Sequence, residues 1–169
     1  MNYSKALNEC IESAYMVAGH FGARYLESWH LLIAMSNHSY SVAGATLNDY
    51  PYEMDRLEEV ALELTETDYS QDETFTELPF SHRLEVLFAE AEYVASVVHA
   101  KVLGTEHVLY AILHDGNALA TRILERAGFS YEDQKDQVRI AALRRNLEER
   151  AGWTREDLKA LRQRHRTVT

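Results

Sequence analysis

One cysteine, two prolines and seven glycines are all that this 169-residue chain holds of the residues that staple, break or loosen a backbone. A lone Cys10 excludes an internal disulfide; it falls on an apolar stripe and is expected as a small core residue. Few breakers leave long stretches free to be helical. No apolar run approaches the ~20 residues that span a bilayer. The amino-terminal MNYSKALNEC lacks the basic-then-apolar order of a secretory signal, so the cytoplasm is the expected compartment. Basic side chains are outnumbered 17 to 27, for a net charge of −10. Residues 1–143 hold 23 acidic and 9 basic side chains, whereas 144–169 hold 4 and 8. An acidic body excludes nucleic acid as the expected partner, because phosphate contacts need Lys and Arg. It suits basic ligands, basic peptides or simple solubility. The chain has no G-x-x-x-x-G-K-[ST] phosphate loop, no H-E-x-x-H, no C-x-x-C and no nucleophile motif. On this reading it is not an enzyme by itself.

What is present is a duplication. Shifted by 77 positions, Ser4, Leu7, Ala14, Val17, Ala18, Ala23, Leu26, His30, Leu32, Ala34, Ala43 and Leu47 meet identical residues: Ser81, Leu84, Ala91, Val94, Ala95, Ala100, Leu103, His107, Leu109, Ala111, Ala120 and Leu124. Such a period governs the fold and must be found first. It also means that any site should be sought twice.

Apolar residues at three-and-four spacing make both copies helical. Ser4 is expected to cap a helix carrying Leu7, Ile11, Ala14 and Ala18 inward, weakening at Gly19 and Gly22. Ser28 and Ser41 are expected to cap two shorter helices, and a fourth follows Pro51 with Leu57, Val60 and Ala61 inward. In the second copy Ser81 and Thr105 are the expected caps, Gly128 closes the third helix, and the fourth begins near Tyr131. The domain reads as residues 1–147: repeat 1 over about 3–64, an acidic linker over 65–79, and repeat 2 over about 80–145. Residues 148–169 read as a connector that continues into something else or packs on a neighbour, with Thr154 and Asp157 spaced as a capping box. Its end at RHRTVT reads as the start of a tether to a missing region.

Two local features invite chemistry. Eight histidines, with His30 and His107 at equivalent positions, raise a metal site in a helical bundle; a packed, hydrogen-bonded pair is the preferred reading, and no metal is expected. Glu106, just after Thr105, places a carboxylate at a helix start, where the dipole favours negative charge. Stability alone accounts for that placement, and ligand binding is the alternative. Tyr50, Tyr52 and Tyr69 offer anchors for a docked protein, or half-buried packing.

The phrase Gly104-Thr105-Glu106-His107-Val108-Leu109, the alanine-rich helix before it and the Ala120–Gly128 stretch after it resemble the Clp repeat, in both copies and in the same order. Two such repeats in tandem resemble the N-terminal domain of ClpC-type AAA+ unfoldases, relatives of ClpA and ClpB. The resemblance implies an all-α fold of two four-helix repeats about a pseudo-twofold axis. It implies no chemistry in this chain, with ATP and magnesium handled by rings outside it. The implied partners are MecA-type adaptors, substrate proteins and, through the full ring, the ClpP peptidase; no membrane is involved. It also implies a phosphoarginine pocket per repeat, with the glutamate on the guanidinium and the capping hydroxyl on the phosphate. Carried onto this sequence, the second-repeat set is Glu106, Ser81, Arg83 and Thr105. The first repeat keeps Ser4 but has Trp29 in place of the glutamate, whose face can stack on a guanidinium but not accept its bonds. Glu85 stands where the family can place a basic residue and repels phosphate. At most one pocket of the full chemistry is therefore expected. The alternative to a ClpC module is a free-standing Clp-repeat adaptor or regulator.

Overall fold

The computed structural model describes residues 1–49, 54–65, 77–114, 119–128 and 136–168. Among them lie nine helices: α1 Lys5–His20, α2 Ser28–Ser36, α3 Val42–Asn48, α4 Met54–Thr65, α5 His82–Val97, α6 Thr105–His114, α7 Leu119–Gly128, α8 Asp136–Ala151 and α9 Arg155–Val168. Extended pairing among the described residues is confined to two isolated bridges.

The duplication is written into the backbone. The limits of α5 are those of α1 moved by 77 residues. Ser4 Oγ accepts the Leu7 N–H at 3.1 Å, and Ser81 Oγ accepts the Leu84 N–H at 3.1 Å. After each of these helices the chain takes one left-handed step, at Gly22 (φ 63°) and at its counterpart His99 (φ 59°). Histidine is among the few side chains that tolerate that region. The equivalent leucines Leu7 and Leu84, and Leu26 and Leu103, are fully buried. Burying a leucine contributes about 1.5–3 kcal/mol, which explains why these pairs were kept while surface positions drifted.

The two copies interlock reciprocally. Ser4 N–H donates to Leu103 C=O at 2.8 Å and Leu103 N–H to Asn2 C=O at 2.8 Å; Leu26 N–H donates to Pro79 C=O at 2.9 Å and Ser81 N–H to Leu26 C=O at 3.0 Å. Each contact thus recurs with the roles of the copies exchanged, the mark of a twofold relation. The helices follow suit: α3 packs on α8 as α7 packs on α4, and α6 packs on α3 as α2 packs on α7. One apolar core runs through both repeats.

Three details depart from the sequence expectation. Thr105 is the first residue inside α6, not its cap. Its hydroxyl is taken by the Ala43 N–H of the first repeat at 3.2 Å, so it ties the copies together. Ser28 likewise lies inside α2, behind Glu27 at the cap position. The segment after 147 is no free tether: α8 runs through that boundary, and α9 folds back onto α5. Thr154 and Asp157 do form the reciprocal capping box, at 3.0 and 3.1 Å, and Leu161 on α9 is 1% exposed in the core. On α8, Asn146 and Arg150 both bind the Asp49 carboxylate at the end of α3, holding its pKa below the usual carboxylate value. Most of the acidic linker, Tyr50, Tyr52, Tyr69 and Tyr131 lie outside the described residues.

Candidate functional site

The pairing of Ser4 with Leu103 sets the starts of α1 and α6 side by side, and that of Ser81 with Leu26 sets the start of α5 beside that of α2. The candidate residues are therefore grouped across the repeats. Leu103, three residues before Glu106, is bonded to Ser4, which precedes the exposed Lys5, whereas Leu26, three residues before Trp29, is bonded to Ser81, with exposed Arg83 and Glu85 on the first turn of α5. Among the described residues no hydrogen bond or ion pair joins Ser81 or Arg83 to Glu106. The sequence alone gives no sign of this exchange, because the shift by 77 aligns residues within copies and is silent on which copy they meet.

Around Glu106 the geometry is open. His107 Nδ1 accepts the Gly104 N–H at 2.8 Å, so the neutral ring carries its proton on Nε2, which faces Glu106 Oε1 at 3.8 Å. Burial lowers the His107 pKa and the glutamate opposes that shift. The carboxylate is 24% exposed and folds back over Gly104, where an added Cβ would lie 2.5 Å from both its oxygens. A side chain at that position would push this flexible carboxylate aside. Behind it, the Trp153 ring stacks on His107 at 6.1 Å and meets Tyr110 edge-on at 5.1 Å. The segment expected as a connector thus builds the back of the site.

Around Trp29 the equivalent position is closed. His30 Nδ1 accepts the Glu27 N–H at 2.9 Å, the same bond as in the second repeat. Trp29 turns inward, 8% exposed, with its ring edge-on to Phe21 at 4.7 Å and over His30 at 3.8 Å. It fills the core and offers no face to a guanidinium. With Glu106 replaced by Trp29, the buried His30 Nε2 has no hydrogen-bond partner among the described residues, and burial pushes the His30 pKa down to about 3.

That depression sets a pH dependence. The unfolded ring protonates near pH ~6.5, so below that value the unfolded state binds the proton that the folded state refuses. Stability present at neutral pH is therefore lost progressively from about 6.5 toward about 3. For His30 alone the loss at a pH of about 5 is about 2 kcal/mol. Urea midpoints at neutral and mildly acid pH measure it. His30→Gln should flatten the dependence more than His107→Gln, since Glu106 offsets part of the His107 shift; equal midpoints at both pH values in the unaltered protein would refute this.

No group of three or more His, Cys, Asp or Glu among the described residues is placed to hold a metal ion. Both repeated histidines spend Nδ1 on a backbone N–H. Cys10 is fully buried, and burial pushes its thiol up to about 12. No described helix is long and apolar enough to cross a membrane.

A family model for the Clp repeat (R) N-terminal domain matches residues 2–127 and again 79–152. No curated protein matches the chain. Among solved structures, the N-terminal domain of the caseinolytic protease associated chaperone ClpD from Arabidopsis thaliana is 16% identical with a TM-score of 0.67, covering 89% of this chain and 95% of that one. The Hsp104 N-terminal domain from Candida albicans is 18% identical with a TM-score of 0.66, covering 93% and 96%. A chain from a malarial protein secretion system is 20% identical with a TM-score of 0.62, covering 88% and 97%. At these identities the likeness is one of fold.

Proposed function

The chain belongs to the Clp repeat (R) N-terminal domain family, and from that premise we propose that it is the docking module of a ClpC-type unfoldase, receiving substrates and MecA-type adaptors in the cytoplasm for delivery to ClpP. Its ligand is phosphorylated arginine, taken at one site. The observation that carries this reading is the half-buried Glu106 carboxylate standing over Gly104, three residues after the Leu103 that binds Ser4 at the start of α1.

The chemistry divides between the two ends of the ligand. A carboxylate pairs with a planar guanidinium through two parallel charge-assisted bonds. The first N–H groups of a helix have no intrahelical acceptor and take phosphate oxygens. Lys5, exposed on the first turn of α1, adds a cation on that side. Arg83 and Ser81, assigned to the pocket by repeat membership, are replaced in this role by Lys5 and Ser4. Thr105 supports the site by fixing α6 against α3.

Calorimetric titration with free phosphoarginine, and separately with arginine, tests the reading. Phosphoarginine should bind and arginine should be at least tenfold weaker, because the helix starts recognise the phosphate. Equal affinities, or no binding of either, would overturn it.

A further inference from the structure

We infer that the second repeat carries another site, an arginine-lined cleft between α6, α8 and α9 that binds a phosphate-bearing anion. The cleft has a volume of about 420 Å³ and is walled by Arg144 and Arg145 of α8, Arg162 of α9 and Glu148, over a floor of Tyr110 and His114 from α6. It is separate from the Glu106 site and does not depend on the phosphoarginine reading.

The charge balance is the first reason. In a chain of net charge −10, three guanidiniums converge on one carboxylate. Among the described residues none of the three makes an ion pair within 4.0 Å. Arginine, always charged and forked, suits tetrahedral oxyanions better than any other side chain. Uncompensated like charges repel, so a bound dianion stabilises the arrangement that the fold imposes.

The contrast with the first repeat is the second reason. At the positions of Tyr110 and His114 the first repeat has Ile33 and Asn37. The arginine cleft is therefore no inherited part of the duplicated scaffold.

Its construction is the third reason. The docking of α9, through buried Leu161, brings Arg162 to the arginines of α8. The His114 ring lies 4.1 Å from that of Tyr110, which in turn meets Trp153 edge-on, giving a rigid aromatic floor. Burial raises the Glu148 pKa against the pull of all three arginines. A volume of this size is at the lower end for small-molecule sites, roughly 300–1,000 Å³, and admits a phosphoryl group with a small organic body.

Trp153 reports on the cleft through Tyr110, and Trp29 is the internal control. Inorganic phosphate and free O-phosphotyrosine, titrated into the chain and followed by the two indole N–H resonances, should each shift Trp153 saturably and leave Trp29 unmoved. Tyrosine should shift neither. Tighter binding of phosphotyrosine than of phosphate identifies a phosphoryl group on an organic carrier; equal binding identifies the free ion. Arg144→Gln with Arg162→Gln should weaken both at least tenfold, and Glu148→Gln should tighten them. Lys5→Gln, which takes the cation from the phosphate end of the Glu106 site, should leave the phosphate-induced shift intact, which separates this site from the other. No saturable shift of Trp153 by either phosphate, or affinities indifferent to both the double substitution and Glu148→Gln, would overturn the inference.

Discussion

Glu106→Ala should remove phosphoarginine binding, weakening it by about tenfold to a hundredfold, the worth of hydrogen bonds to a charged group. The fold should scarcely notice, since the carboxylate is 24% exposed and its one close ionic partner among the described residues is His107 at 3.8 Å. The two capping serines make the matching control. Ser4→Ala and Ser81→Ala each delete a bond to a helix N–H of 3.1 Å and should cost similar stability, about 1 kcal/mol. Only Ser4→Ala should also weaken binding, because Ser4 is the serine whose backbone pairs with Leu103, three residues before Glu106. Calorimetry beside urea unfolding separates the two effects. Loss of affinity in Ser81→Ala but not in Ser4→Ala would place the pocket within the second repeat and refute the crossed arrangement.

Gly44→Ala should be the most damaging single substitution of a small residue. Inside an exposed helix, replacing glycine by alanine gains about 1 kcal/mol from propensity. Here an added Cβ would lie 1.8 Å from the His38 carbonyl oxygen and 2.6 Å from that of Met35. Those are backbone atoms at the end of α2, so no side chain can swing aside. Overpacking of a fixed neighbour costs about 1–3 kcal/mol and more where nothing yields. A net loss of about 3 kcal/mol or greater follows, from a total stability of roughly 5–15 kcal/mol. Urea unfolding at neutral pH measures it, and an unchanged or raised midpoint would show that α3 can move off α2.

Much of the scaffold was legible because it is periodic. Ser4, Ser41 and Ser81 cap where their spacing to the apolar stripe indicates, and the buried leucines of the two copies coincide. Caps and core stripes are local, and a local pattern survives duplication. Thr105 misled because its hydroxyl serves a partner 62 residues away, while the histidine three places after each cap position accepts the N–H there. Where the C-terminal segment docks was left open for the same reason. Its composition is that of a solvated helix, and Trp153, Leu158 and Leu161 tie it to the core.

The site was half legible. Glu106 and Trp29 stood out as the position expected, from the family resemblance, to face ligand and at which the copies differ. That Trp29 is a buried plug with Phe21 and His30 rather than an altered platform needs the burial, since an indole after a cap residue reads equally well either way. The arginine cleft was invisible, because Arg162 reaches α8 only through the docking of α9.

The central claim is that one of two inherited sites is open and the other is filled from within. Calorimetric stoichiometry of phosphoarginine on the unaltered chain tests it most directly. One equivalent per chain, lost in Glu106→Ala, is the predicted result; two equivalents of similar affinity would contradict it.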